Sequence, residues 1–112
     1  MTAARYDLVI DQGSDFALEF TVAESGTAKN LTGYSARAQL RPAKGSSTLS
    51  ATFTCGIPTP TNGKITMSLG NSSSSGLTAG RFHYDLEIFT SGNSVVSRLL
   101  YGEVTLTQEV TR

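Results

Sequence analysis

The sequence predicts an all-β domain, an antiparallel β-sandwich of about seven strands. Three observations carry that prediction. Apolar and polar residues alternate in five separate segments, the period of a half-buried strand and not of a helix. Clusters of Gly, Asn, Ser and Pro separate these segments at strand-and-turn spacing. Ser and Thr form roughly a quarter of the chain and eleven residues are glycine, a composition that favours strands and turns.

The first segment, "RYDLVID", offers Tyr6, Leu8 and Ile10 as one face, or Val9 with its neighbours as the other. "DFALEFTVA" places Phe16, Leu18, Phe20 and Val22 inward, and "YSARAQLR" does the same with Tyr34, Ala36, Ala38 and Leu40 until Pro42 removes a ladder donor. "TLSATFTC" aligns Leu49, Ala51, Phe53 and Cys55, and "GKITMSL" aligns Ile65, Met67 and Leu69. Residues 71–77 of "NSSSSGLTAG" are expected to form one short helical turn with Asn71 as N-cap, against the alternative of a polar loop, before Leu77 returns to the core. In "RFHYDLEI", Phe82, Tyr84, Leu86 and Ile88 form one stripe and Arg81, His83, Asp85 and Glu87 the other. "TSGNS" reads as a hairpin turn. The closing segment places Val96, Leu100, Val104 and Leu106 inward, with Gly102 at a bulge or a close backbone approach. A sandwich or a small barrel fits this pattern, and the sandwich is the expectation. With one cysteine and no tryptophan, it is immunoglobulin-like in architecture only.

At 112 residues the chain is read as a single domain, 1–112. Nine basic residues balance nine acidic ones, so the excess of positive charge that drives phosphate binding is missing and nucleic acid is not expected as a partner. The lone Cys55 excludes an intrachain disulfide. No segment has the length of a membrane span or the apolar core of a signal peptide, so the expectation is synthesis in the cytoplasm and no membrane partner.

The residues with most chemistry are His83, Asp85 and Glu87, spaced about 7 Å apart along one strand face. A metal would need further ligands, and the chain has no second histidine and no cysteine pair. They are read as a structural polar row, with Arg98 as the partner of Asp85 across the hairpin. One histidine and no nucleophile elbow argue against acyl transfer. Cys55, in the apolar phase of its strand, reads as a buried inert thiol. No catalytic residue, cofactor, metal or small-molecule substrate is therefore expected. Arg37, Arg41 and Lys44 outline a small basic edge, and the arms "MTAAR" and "TQEVTR" are short enough to add to a neighbouring sheet. Arg5, Arg37, Arg41, Glu109 and Arg112 are the candidate interface residues.

The order of "IDQGSDFALEFTV", "NLTGYSARAQLR", "GKITMSLGNSSSSGLTAGRFHYDLEI" and "SRLLYGEVTLTQEVTR" resembles small β-sandwich structural proteins of tailed bacteriophages, including N-terminal domains of baseplate proteins. The resemblance spans nearly the whole chain. It implies a non-enzymatic virion component of the baseplate, tail or fibre-attachment region, assembled in multiple copies with itself and with other phage proteins. Ending at Arg112, the sequence departs from the larger baseplate proteins, and the expectation is therefore a connector or adaptor without a receptor-binding or fibre domain. The alternatives are a capsid decoration or cement protein and a carbohydrate-binding module.

Overall fold

Strands form where the alternation runs unbroken, and they end where glycine, proline or paired polar residues interrupt it. The computed structural model describes residues 3–24, 26–43 and 50–110. Its strands are β1 (Ala4–Arg5), β2 (Leu8–Asp11), β3 (Phe16–Thr21), β4 (Ala23–Glu24), β5 (Thr27–Ala28), β6 (Ser35–Arg41), β7 (Ala51–Gly56), β8 (Lys64–Leu69), β9 (Gly80–Phe89) and β10 (Val96–Thr107). One short helix, α1 (Asn71–Ser75), lies between β8 and β9. Leu49, Lys44 and Arg112, named above, lie outside the described residues.

The all-β expectation holds, and seven of these strands have four residues or more. The architecture differs from two separate antiparallel layers. One sheet runs β1–β10–β9–β6–β7–β8–β3, with β2 also on β10, and it curls into a half-barrel. β7 makes the corner: Ala51–Phe53 pair with β6, whereas Thr54–Gly56 pair with β8. Both β1 and β2 lie parallel to β10, so the sheet is mixed and not antiparallel throughout. Alternation reports which face a side chain takes and is silent about the direction of the neighbouring strand. A parallel pair needs a long connection, and here the connection is almost the entire domain.

Apolar residues of the concave face form one core. Leu40, Ile65, Met67, Leu86, Ile88 and Val104 are fully buried there. Phe53 stands at the corner with its ring edge-on to Phe16 of β3 at 6.1 Å and to Tyr84 of β9 at 6.3 Å. It thereby ties the two walls together through contacts worth about 0.5–1.5 kcal/mol each beyond area burial. α1 closes one end of the half-barrel. Its Ser74, fully buried, accepts from the Gly13 N–H at 3.1 Å and donates to the Ser14 carbonyl at 2.8 Å. Asn71 is the first helical residue and not the N-cap, which is Gly70. The cap comes instead from the β2–β3 turn, where the Asp15 carboxylate accepts from the Asn71 N–H at 2.7 Å. Leu77 packs against the core as expected.

β10 departs from its expected phase at one point. A bulge between Arg98 and Leu100 inverts the alternation, so Leu99 is buried and Val96 is exposed. Gly102, expected at a bulge or a close approach, lies in regular register opposite Tyr84 and serves the second purpose. A Cβ there would stand 2.5 Å from the Tyr6 carbonyl oxygen and 2.7 Å from Asp7 Oδ1. β1 and β2 keep one register along β10 (Arg5 with Tyr101, Leu8 with Val104), and Tyr6–Asp7 is the interruption between them. This break explains why Leu8 and Ile10 are buried while Tyr6, of the same nominal phase, is exposed. The Tyr6 carbonyl is satisfied by the Tyr84 hydroxyl, and the Glu103 N–H by Asp7 Oδ1 at 3.0 Å.

Two substitutions test this junction. Tyr84→Phe leaves the Tyr6 carbonyl without its donor and is expected to lower unfolding free energy by about 1–2 kcal/mol. Gly102→Ala forces the crossing chain outward and is expected to cost about 1–3 kcal/mol. Urea titrations followed by far-UV circular dichroism measure both.

Candidate functional site

The largest concentration of polar chemistry is the outer face of β6, β9 and β10. Register sets it in three rows: Arg41, His83 and Glu103; Gln39, Asp85 and Tyr101; Arg37, Glu87 and Arg98. Period two sends these side chains outward because their neighbours Ala38, Leu40, Tyr84 and Leu86 fill the core. An open groove of about 310 Å³ runs over this face, lined by Gln39, Arg41, His83, Asp85, Arg98 and Tyr101.

The groove is organised by ion pairs. Arg98 Nε lies 3.3 Å from Asp85 Oδ2, the partnership expected from the sequence, although Arg98 stands directly opposite Glu87 and reaches Asp85 diagonally beside the bulge. Glu87 pairs with Arg37, whose guanidinium also covers the Phe89 ring at 4.2 Å. Such a partly exposed stacking contact contributes about 0.5–1 kcal/mol. Arg81 approaches Glu103 at 3.8 Å, and Arg41 donates to Gln39 Oε1 at 2.8 Å. Among the described residues, His83 Nδ1 is shielded from solvent and meets no hydrogen-bond partner. Asp85 and Glu87 each pair with an arginine. Among the described residues, no group of three His, Cys, Asp or Glu side chains is placed to hold a metal ion.

The residues expected at an interface fall in separate places. Arg5 lies in β1, 3.2 Å from Asp7 and 3.9 Å from Glu103. Arg37 and Arg41 belong to the outer rows. The Glu109 N–H donates to Gln12 Oε1 at 2.9 Å, which latches the end of β10 to the β2–β3 turn. The two arms are thus joined to the chain's own sheet as far as Ala4 and Glu109.

Sequence reasoning did not single out Asp7, Ser74 or Glu103. Asp7 had a local signal, since a carboxylate within "RYDLVID" interrupts the apolar phase of a terminal strand. Its pKa is lowered, chiefly by the Glu103 N–H bond, which outweighs the opposing loss of hydration, with Arg5 adding to the lowering. The Tyr84 phenol is pushed up by burial and by the nearby Asp7 carboxylate, which keeps it a donor to Tyr6. Burial also pushes the Cys55 thiol up to about 11.

Three outcomes follow from these environments. Asp85→Ala removes a partly exposed pair and is expected to cost less than about 1 kcal/mol in urea titration. Folding lowers the Asp7 pKa, so its stabilisation is complete above the unfolded value of about 4 and is lost as pH falls through the lower folded value. The stability gap between the wild type and Asp7→Ala, measured at a series of pH values, should accordingly be widest near neutrality and narrow below about pH 4. At pH 8 the folded Cys55 should react with a thiol-specific reagent at least about a hundredfold more slowly than in denaturant, where its pKa returns to about 8.5.

No protein-family model matches this chain, and a comparison with curated proteins finds no match.

Proposed function

We propose that this chain is a non-enzymatic structural adaptor of a tailed-phage particle, located in the tail or baseplate and present in multiple copies. The observation that carries the reading is the edge of β3. Among the described residues, β3 pairs with β8 on one side and with no strand on the other. Its inward residues Phe16, Leu18 and Phe20 are only partly buried, whereas their neighbours Ile65, Met67 and Leu69 on β8 are buried. An unpaired strand of this length beside half-covered apolar side chains is a surface for adding another strand. In the outer groove, by contrast, Asp85 and Glu87 are each paired with an arginine of the same chain. In this reading the fold is a relative of the immunoglobulin-like sandwich, opened along β3 and joined through β7. The strand order that resembles phage structural proteins supplies the particle.

Quantitative mass spectrometry of purified phage particles tests the proposal. The expected result is this chain in intact particles at a copy number matched to the tail proteins. A copy number matched to the capsid lattice would make it a decoration protein, and absence from particles would overturn the assignment.

A further inference from the structure

We propose that two copies of this chain pair through β3, antiparallel about a two-fold axis at Leu18, so that one sheet runs from copy to copy. The inference rests on the reading of the β3 edge as a contact surface and names its partner.

The backbone is prepared for the contact. The Val22 N–H donates to the Gly63 carbonyl, on the β8 side, at 2.8 Å. Alternation along the strand then turns the N–H and C=O groups of Ala17, Glu19 and Thr21 away from β8 and toward the open side.

The side chains choose the register. Directly opposed residues of antiparallel strands share a face, so only every second register keeps the apolar row continuous. With Leu18 opposite Leu18 of the second copy, Phe16 meets Phe20, Ala17 meets Glu19, and Asp15 meets Thr21. No like charges are opposed. Shifting by one step in one direction sets Glu19 against Glu19. Shifting in the other sets Asp15 against Glu19, twice by symmetry. Like charges directly opposite destabilise a strand pair, so both neighbouring registers are disfavoured. Glu19 also keeps Lys64 of its own chain at 3.8 Å, which offsets the negative charge it brings to the seam. Phe16, Leu18 and Phe20 pack against the core but stay partly exposed, so a second copy at this edge would cover apolar surface that the described residues leave open. A two-fold contact of this kind is closed, so it gives dimers and not fibres.

Sedimentation equilibrium of the full chain is the test, with a concentration-dependent monomer–dimer equilibrium expected. Ala17 is exposed, so substitution there spares the fold while changing what Glu19 of the second copy meets. Ala17→Glu should weaken dimerisation about tenfold through two opposed like-charge pairs. Ala17→Lys should strengthen it at low salt and lose that gain at high salt. In a Cys55→Ser background, Leu18→Cys should cross-link to itself under mild oxidation and Ala17→Cys should not. A monomer at every concentration, assemblies larger than two, or equal responses to Glu and Lys at position 17 would overturn the proposal. A monomeric chain found in particles would sink the dimer and leave the adaptor reading standing; a dimer absent from particles would do the reverse.

Discussion

The fold depends on laying the first strand of the chain parallel against the last. β9 and β10 find each other through a short hairpin, but β10 has a second edge that only a segment from the far end of the sequence can cover. That contact carries a steric demand and a polar one. The steric demand falls on Gly102, because the backbone of Tyr6 and Asp7 passes where a side chain would stand. The polar demand arises because the strand breaks there, detaching a carbonyl and an N–H from the ladder. Tyr84 meets the first through its hydroxyl and Asp7 the second through its carboxylate. The Tyr6 carbonyl is part-buried, and leaving it without a donor would cost about 1–3 kcal/mol, whereas the Glu103 N–H lies at the exposed surface. Tyr84 also touches Phe53 at the corner strand, and Phe53 touches Phe16. The terminal closure and the packing of the two walls therefore share one side chain.

The outer face follows from the same sheet. β9 is flanked by β6 and β10, and its outward residues His83, Asp85 and Glu87 have cross-strand neighbours on both sides. Arginines on the flanking strands face the two carboxylates, and the bulge in β10 brings Arg98 to Asp85. Such partly exposed pairs contribute little to stability, typically below about 1 kcal/mol. A slip of β10 by two residues in one direction would set Glu103 against Asp85, whereas the opposite slip would set Arg98 against Asp85 and Glu103 against Arg81, so these charges disfavour only one of the two slips. The row is in this way bound into the sheet through Arg37 and Arg98.

The legible part of the fold was the part governed by neighbours in sequence. Alternation placed Ile65, Met67 and Leu69 of β8, and Phe82, Tyr84, Leu86 and Ile88 of β9, on the buried face where they are found. The hairpin at residues 90–95 was also readable from its turn residues, whereas the contact of Arg98 with Asp85, expected from a simple register, is made diagonally beside a bulge. Strand direction was not readable, since a side-chain period of two is the same in parallel and antiparallel sheets. The phase of Val96 was lost for a related reason: a bulge needs no special residue, and the one near Leu99 leaves no mark in "SRLLYG". Gly102 could be marked as a close approach, but its partner, 96 residues away at Tyr6, could not be named. For the site, the sequence identified the charged row and its arginine. It missed Asp7 and Ser74, whose roles exist only where distant turns meet.

The open edge of β3 is the consequence of that terminal pairing. β2 and β3 are consecutive and separated by only a tight turn, and a hairpin between them would have closed the curled sheet into a barrel. Instead β2 continues along β10, and the turn sends β3 to β8 at the opposite end of the strand order. Ser74 and Asp15 fix that divergence by binding the turn to α1. The chain has thus committed its N-terminal strand to covering one edge and left another uncovered, together with Phe16, Leu18 and Phe20. In a sheet, an uncovered edge either carries charge that repels a neighbour or awaits one. Asp15, just before β3, and Glu19 within it are spaced so that in the proposed pairing they repel in the two neighbouring registers and not in the one centred on Leu18, which would make the edge selective and not closed.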